Sequence, residues 1–250
     1  MRKFIALLIV ALLIGSTPVS AASTYNVKTT GKKQYPRTIT VKTGEKKKKK
    51  YKLYDQNGFG SGYLSQRGCA HTAAAIVMSA YGKSYTPYNI HYGSSGQKCS
   101  ERYALKKLKK RVAVTGQSLS IFSISKILRN AGIKNRAVYK YNENTAIREI
   151  TANLEKGRPV IVMCHRKRVK GVKLANSYHM IVLAGIDKKG NVIALNPAGG
   201  TVNTSHCTGR FKLTVKQIVR RHMWSCRGNE YGSFYFNGAK NYGGYIIIKQ

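Results

Sequence analysis

Apolar positions in this chain follow a helical period first and an extended one later. Residues 69–81 carry Ala73, Ala74, Ala75, Ile76, Val77 and Met78 and stop at Gly82, which predicts a helix opening at Cys69. Ile121, Ile124, Ile127 and Leu128 recur at three- and four-residue spacing behind Ser120, a side chain suited to cap a first turn, and end before Gly132. Ile147, Ile150 and Leu154 repeat the pattern between Asn144 and Gly157. After Pro159 the period changes. Residues 160–164 are apolar without a break, 178–186 and 191–195 nearly so, and Lys188-Lys189-Gly190-Asn191 between the last two reads as a hairpin turn. A short helix is expected over 216–224 and a closing strand over 245–248. Helices first and antiparallel strands second make an α+β layout, with an N-terminal helical half and a C-terminal antiparallel sheet.

The first fifty residues obey neither period. Arg2 and Lys3 precede an apolar run over 4–14, followed by a polar stretch and the small residues of Val19-Ser20-Ala21. That order predicts a cleaved signal peptide over 1–21, because a membrane span needs about 20 apolar residues. The mature chain is then expected to begin near Ala22, to be secreted or associated with the cell surface, and to keep no transmembrane anchor. Residues 22–52 hold Lys28, Lys32, Lys33, Arg37, Lys42 and the run 46–50 among few large aliphatics. They are expected to form a disordered basic linker, with a pro-segment or wall-binding arm as the alternative. Only 38–41 alternates like a short strand. The globular domain is placed at 53–250, and the basic stretch 106–111 is read as a solvated helix face.

Charge changes the picture of partners, not of fold. Lys and Arg number 45 against 8 Asp and Glu, a formal net charge of +37. Losing Arg2 and Lys3 with the signal leaves +35 (37 minus 2), a field that favours polyanions such as an anionic cell-wall polymer. Aromatic and basic residues interleave at Tyr139-Lys140-Tyr141, but no nucleic-acid motif accompanies them. Export also colours the five cysteines. An odd count outside the cytoplasm suggests one thiol, with Cys99, Cys164, Cys207 and Cys226 able to form two disulfides in three connectivities. Their spacing matches no metal site, and no cofactor is expected.

Cys69 follows Gly68 at the start of an apolar helix, where unpaired N–H groups and the helix dipole lower a thiol's pKa. A buried or disulfide-bonded cysteine is the competing reading of that local context. A thiolate needs a base, and the base needs an orienting partner. His179 opens the strand His179-Met180-Ile181-Val182, and Asn196 ends the strand that returns through the hairpin turn. Antiparallel pairing brings that carboxamide back beside the imidazole. A lone strand histidine is more commonly a satisfied core residue, but the three-part order argues against that here. His71, two residues beyond Cys69 on the same helix, is read as structural. His91, His165, His206 and His222 show no ligand spacing.

Gly68-Cys69, Thr72-Ala73-Ala74-Ala75, the strand at Pro159-Val160-Ile161-Val162, His179-Met180-Ile181-Val182 and Asn196-Pro197 together resemble the C39-like branch of papain-like cysteine peptidases over residues 53–224. The resemblance implies a papain-like fold and a secreted, stand-alone bacterial enzyme that hydrolyses peptide bonds in a peptide or protein substrate. It makes Cys69 the nucleophile, His179 the general base and acid, and Asn196 the orienter. It also implies a glutamine in the oxyanion hole beside the Cys69 N–H. Gln56, in Tyr54-Asp55-Gln56, fits the family's aromatic-x-Gln segment, and Gln66 is the alternative. Two departures stand out: Ala70-His71 replaces the common Gly-Pro, and Asn196 stands where Asp is usual. The same residues would also serve an amidase or transpeptidase. A catalytically weak or inactive module that binds anionic wall polymer is the third reading. The basic stretch 166–173, just before the His strand, would lie near the cleft.

Overall fold

A computed structural model of the chain describes residues 29–30, 37–43, 47–56, 64, 68–87, 90, 120–139, 141–165, 168–169, 172–173, 179–198, 208–223, 233–236 and 239–250. In chain order the strands are β1 (Thr29–Thr30), β2 (Arg37–Thr43), β3 (Lys47–Leu53), β4 (Asn135–Val138), β5 (Val160–Cys164), β6 (Arg168–Val169), β7 (Val172–Lys173), β8 (His179–Ile186), β9 (Asn191–Leu195), β10 (Thr208–Thr214), β11 (Ser233–Phe236), β12 (Ala239–Tyr242) and β13 (Tyr245–Ile248). Four helices accompany them among the described residues: α1 (Cys69–Ser79), α2 (Ile121–Asn130), α3 (Glu143–Glu155) and α4 (Val215–Arg221). The signal segment, the stretch 106–111, Gln66, Tyr178, Cys99, Cys207 and Cys226 lie outside the described residues.

The centre is a six-stranded sheet in the order β10-β9-β8-β5-β13-β4, and every neighbouring pair in it is antiparallel. Alternate residues of each strand divide between two cores. Ile161, Met163, Met180, Val182, Ala184, Ile193, Leu195, Ile246 and Ile248 pack with α1 and α2. Val160, Val162, Cys164, Ile181, Leu183, Val192, Ala194, Tyr245 and Ile247 pack with α3 and α4. Covering both faces removes the need for polar alternation, so the central strands read as unbroken apolar runs. The fold is α+β, but the expected division into a helical half followed by a sheet does not hold. A hairpin precedes α1, β4 lies between α2 and α3, and the helices cover both faces. β4 escaped notice because Asn135 and Arg136 break any apolar pattern, and β10 because Gly209, Arg210 and Lys212 interrupt it.

Local chemistry sets the helix ends. Ser120 Oγ accepts from Ser123 N–H at 3.2 Å, and Asn142 Oδ1 accepts from Asn144 and Thr145 N–H. Thr214 and Gln217 form a reciprocal capping box on α4, which starts one residue earlier than expected and ends at Arg221. Gly132 and Gly157 sit at φ 80° and 70°, the left-handed conformation that ends a helix at little steric cost.

The largest departure concerns the basic N-terminal segment. Residues 37–43 and 47–52, expected as part of a disordered linker, pair with Leu53 as the antiparallel strands β2 and β3, with Ile39 opposite Tyr51 and Val41 opposite Lys49. Ile39, Val41, Tyr51 and Leu53 are completely buried in the α1 side of the core. Burying side chains of this size contributes roughly 1.5–3 kcal/mol each, enough to hold the strands despite their lysines. The stretch 166–173 contains the small β6–β7 pair, Arg168 opposite Lys173 and Val169 opposite Val172.

Candidate active site

α1 owes its position to small residues. Every side chain from Cys69 to Met78 is buried, and Ala73, Ala74 and Ala75 allow the helix to lie close against β8. Its first residue follows Gly68, whose N–H bonds to Leu64 O at 2.8 Å. A Cβ at position 68 would overlap that carbonyl oxygen and crowd the Leu64 side chain. Close backbone approach is therefore what demands glycine before the cysteine. No side chain caps α1, so the first-turn N–H groups stay open toward Cys69.

The backbone N–H of Met180, the residue after His179, lies near enough to the Cys69 thiol to pull its pKa down, as do the Cys69 and Ala70 N–H groups. Cys69 at the start of α1 and Met180 at the start of β8 share one buried cluster. Asn196 completes the grouping through the β8–β9 hairpin. Asp187, buried at the turn, accepts from Lys189 N–H and Asn191 N–H, both at 2.8 Å, and Gly190 takes φ 73°. The turn fixes the register, with Val182 opposite Leu195, and so sets where β9 ends.

His179 and Asn196 then meet at 2.6 Å between Nε2 and Oδ1. The carboxamide's orientation is settled by a second contact: Ala198 N–H, which can only donate, bonds to the same Oδ1 at 2.9 Å. An oxygen held there accepts from the ring, so Nε2 carries the imidazole proton and Nδ1 keeps its lone pair. Asn196 Nδ2, also buried, has no partner among the described residues. Gln56 is drawn into the same place because its backbone N–H donates to Pro197 O at 2.8 Å. The side chain is buried, 6% exposed. The β2–β3 hairpin leads directly into this residue.

The electrostatics reverse one expectation. The open helix terminus and the Met180 N–H do pull the Cys69 thiol pKa down, but removal from water outweighs them and pushes it up to about 11. Burial likewise lowers the His179 pKa to about 4, against the smaller raising effect of the Asn196 bond. At neutral pH the resting site thus holds a neutral thiol and a neutral imidazole. Its side chains are 3% and 5% exposed, respectively. Cys164, opposite His179 on β5, is a second buried thiol whose pKa burial also raises; the other three cysteines of the possible disulfide scheme lie outside the described residues. His71 is buried within α1, in keeping with a structural role.

The contributors missed in the sequence are Met180, whose N–H lowers the thiol pKa, and Ala198, whose main chain orients the carboxamide. Backbone donors leave no mark in residue type. A family model described as "Peptidase_C39 like family" matches residues 48–219, from within β3 to within α4. No curated protein matches the chain.

Proposed function

The chain belongs to the peptidase C39-like family, and from that membership we propose that it is a cysteine peptidase with a papain-like Cys69–His179–Asn196 triad. The observation that carries this reading is the His179–Asn196 bond, fixed by Ala198, at the strand end whose next N–H lies near enough to the Cys69 thiol to lower its pKa. His179 Nδ1 takes the thiol proton, and the sulfur attacks the substrate's acyl carbon. Burial penalises either charge alone, but proton transfer creates two opposite charges together, whose attraction offsets much of that penalty. The Cys69 N–H and the Gln56 carboxamide stabilise the resulting oxyanion. The imidazolium then protonates the departing amine, and water, deprotonated by the same imidazole, releases the acyl group. Asn196 keeps Nε2 protonated throughout, but stabilises imidazolium less than a carboxylate would.

In this reading the protein is exported and works outside the cell on peptide or protein substrates, an assignment supported by the apolar run 4–14 and the small residues at Val19-Ser20-Ala21. The test combines a fluorogenic peptide library with iodoacetamide labelling of the full chain. Peptide cleavage is expected, abolished by Cys69→Ala, with alkylation of Cys69 at pH 7 slowed in His179→Ala. Cleavage that survives Cys69→Ala, or a Cys69 that alkylates only after unfolding in urea, would sink the proposal and leave a binding module.

A further inference from the structure

The hairpin that buries Ile39, Val41, Tyr51 and Leu53 turns its other face to water. Thr38, Thr40 and Lys42 on β2 lie opposite Lys52, Lys50 and Lys48 on β3. Lys48, Lys50 and Lys52 are exposed and Lys42 half-buried. None of these four lysines has an ion-pair partner among the described residues. The nearby inward-facing Lys49 is different, its ammonium lying 3.9 Å from the centre of the Tyr81 ring. Three of the described acidic residues are engaged elsewhere: Glu149 with Arg136, Glu143 with Arg220, and Asp187 in the β8–β9 turn.

Lys42 and Lys48 are direct cross-strand partners, an arrangement of like charges that destabilises a sheet unless an anion lies over it. Along β3 the outward lysines repeat every second residue, about 6.6 Å apart, close to the spacing of successive phosphates in a linear phosphodiester chain. Among its described residues the face carries no aromatic side chain on which a base would stack and no apolar side chain to enter a bilayer. We propose that Lys42, Lys48, Lys50 and Lys52 form a binding surface for a linear, non-nucleic polyphosphodiester outside the cell. This surface is separate from the catalytic reading and rests only on the expected export. It would hold the enzyme on an anionic polymer while Gln56, at the end of the same hairpin, stays in the site.

The experiment measures binding of the full chain to synthetic poly(glycerol phosphate) across NaCl concentrations from about 50 to 500 mM. The variant Lys42→Gln/Lys48→Gln/Lys50→Gln/Lys52→Gln is compared with Lys126→Gln/Lys156→Gln/Lys188→Gln/Lys216→Gln, which loses the same charge from exposed positions elsewhere. The ribbon variant is expected to bind about tenfold or more weakly at low salt, with the slope of log K against log salt reduced by about 3. The control should change about twofold. Lys48→Gln/Lys50→Gln should give roughly half the slope change, which keeps the test decisive if the fourfold variant unfolds. Equal losses in both fourfold variants would mean that net charge alone binds the polymer, and would overturn the proposal. Tighter binding to oligothymidylate, or to phosphatidylglycerol vesicles, would overturn it in favour of a nucleic acid or a membrane. Ribbon variants that only self-associate, with polymer affinity intact, would assign the lysines to edge protection instead. Cys69 alkylation is expected to be unchanged in every variant, so failure here is distinguishable from failure of the catalytic assignment.

Discussion

At the β13–β4 edge of the sheet, Glu149 accepts from the Tyr245 hydroxyl at 2.7 Å and pairs with Arg136 at 2.8 Å. Nearby, Asn153 donates to Ile248 O, and Asn135 exchanges bonds with Ser125 and donates to Ile133 O. Each polar group there finds a partner of complementary charge or role, partly in water. At the other side, where β8 and β9 approach α1, burial is nearly complete, and among the described residues His179 bonds to a carboxamide instead of a carboxylate and Asn196 Nδ2 stays unpartnered. Both groupings sit on one scaffold. The first lowers the energy of the folded state, and the second holds a thiol and an imidazole out of water, which makes charging either one costly. A protein tolerates the latter where reactivity repays lost stability.

The sharpest way to break this comparison is deletion. His179→Ala or Cys69→Ala should lower peptide hydrolysis on the order of 10³-fold or more, with urea midpoints little changed, whereas Tyr245→Phe should leave turnover intact. Comparable activity losses from both groupings would erase the distinction.

Titration separates them next. The folded His179 pKa of about 4 lies below the ordinary 6.5, so the unfolded chain binds a proton that the native chain refuses. Its effect is absent above pH 6.5, and stability falls as pH drops toward 4, by roughly 3 kcal/mol. Urea unfolding of His179→Gln should lack this part of the acid limb. Asn196→Asp should shrink it by raising the histidine pKa, and should speed Cys69 alkylation at pH 7. On the alkaline side, the raised Cys69 pKa makes stability fall as pH rises from 9 toward 11, a limb that Cys69→Ala should flatten.

Smaller effects refine the contrast. Gly68→Ala must displace the Leu64 carbonyl and should cost roughly 2 kcal/mol in chemical denaturation, with a parallel loss of turnover as the start of α1 shifts. Tyr245→Phe should cost about 1 kcal/mol through the lost bond to Glu149, with no effect on catalysis.

Much of this arrangement could be read from residue order. The apolar spacing of Ile121, Ile124, Ile127 and Leu128 located α2, the uninterrupted run Val160 to Cys164 located β5, and Gly190 located the turn that returns Asn196 to His179. The lysine run 46–50 hid β3 because its signal is an alternation of burial, while five of its seven residues are lysine. Charge composition argues for a solvated segment until the partner face is known, and the partner face is α1 and β8, far along the chain.

Residue types and their spacing thus established the candidate triad, the helix and strand periods, and the basic character of the hairpin. Folding added what depends on distance and exclusion of water. Burial raised the thiol above its ordinary pKa although the helix terminus pulls it down, because the lost hydration of a thiolate exceeds what three N–H groups return. The imidazole tautomer was set by a main-chain donor at Ala198, and the need for glycine at position 68 by a carbonyl four residues earlier. Main-chain positions and the local dielectric are properties of the packed chain, and no single residue type encodes them.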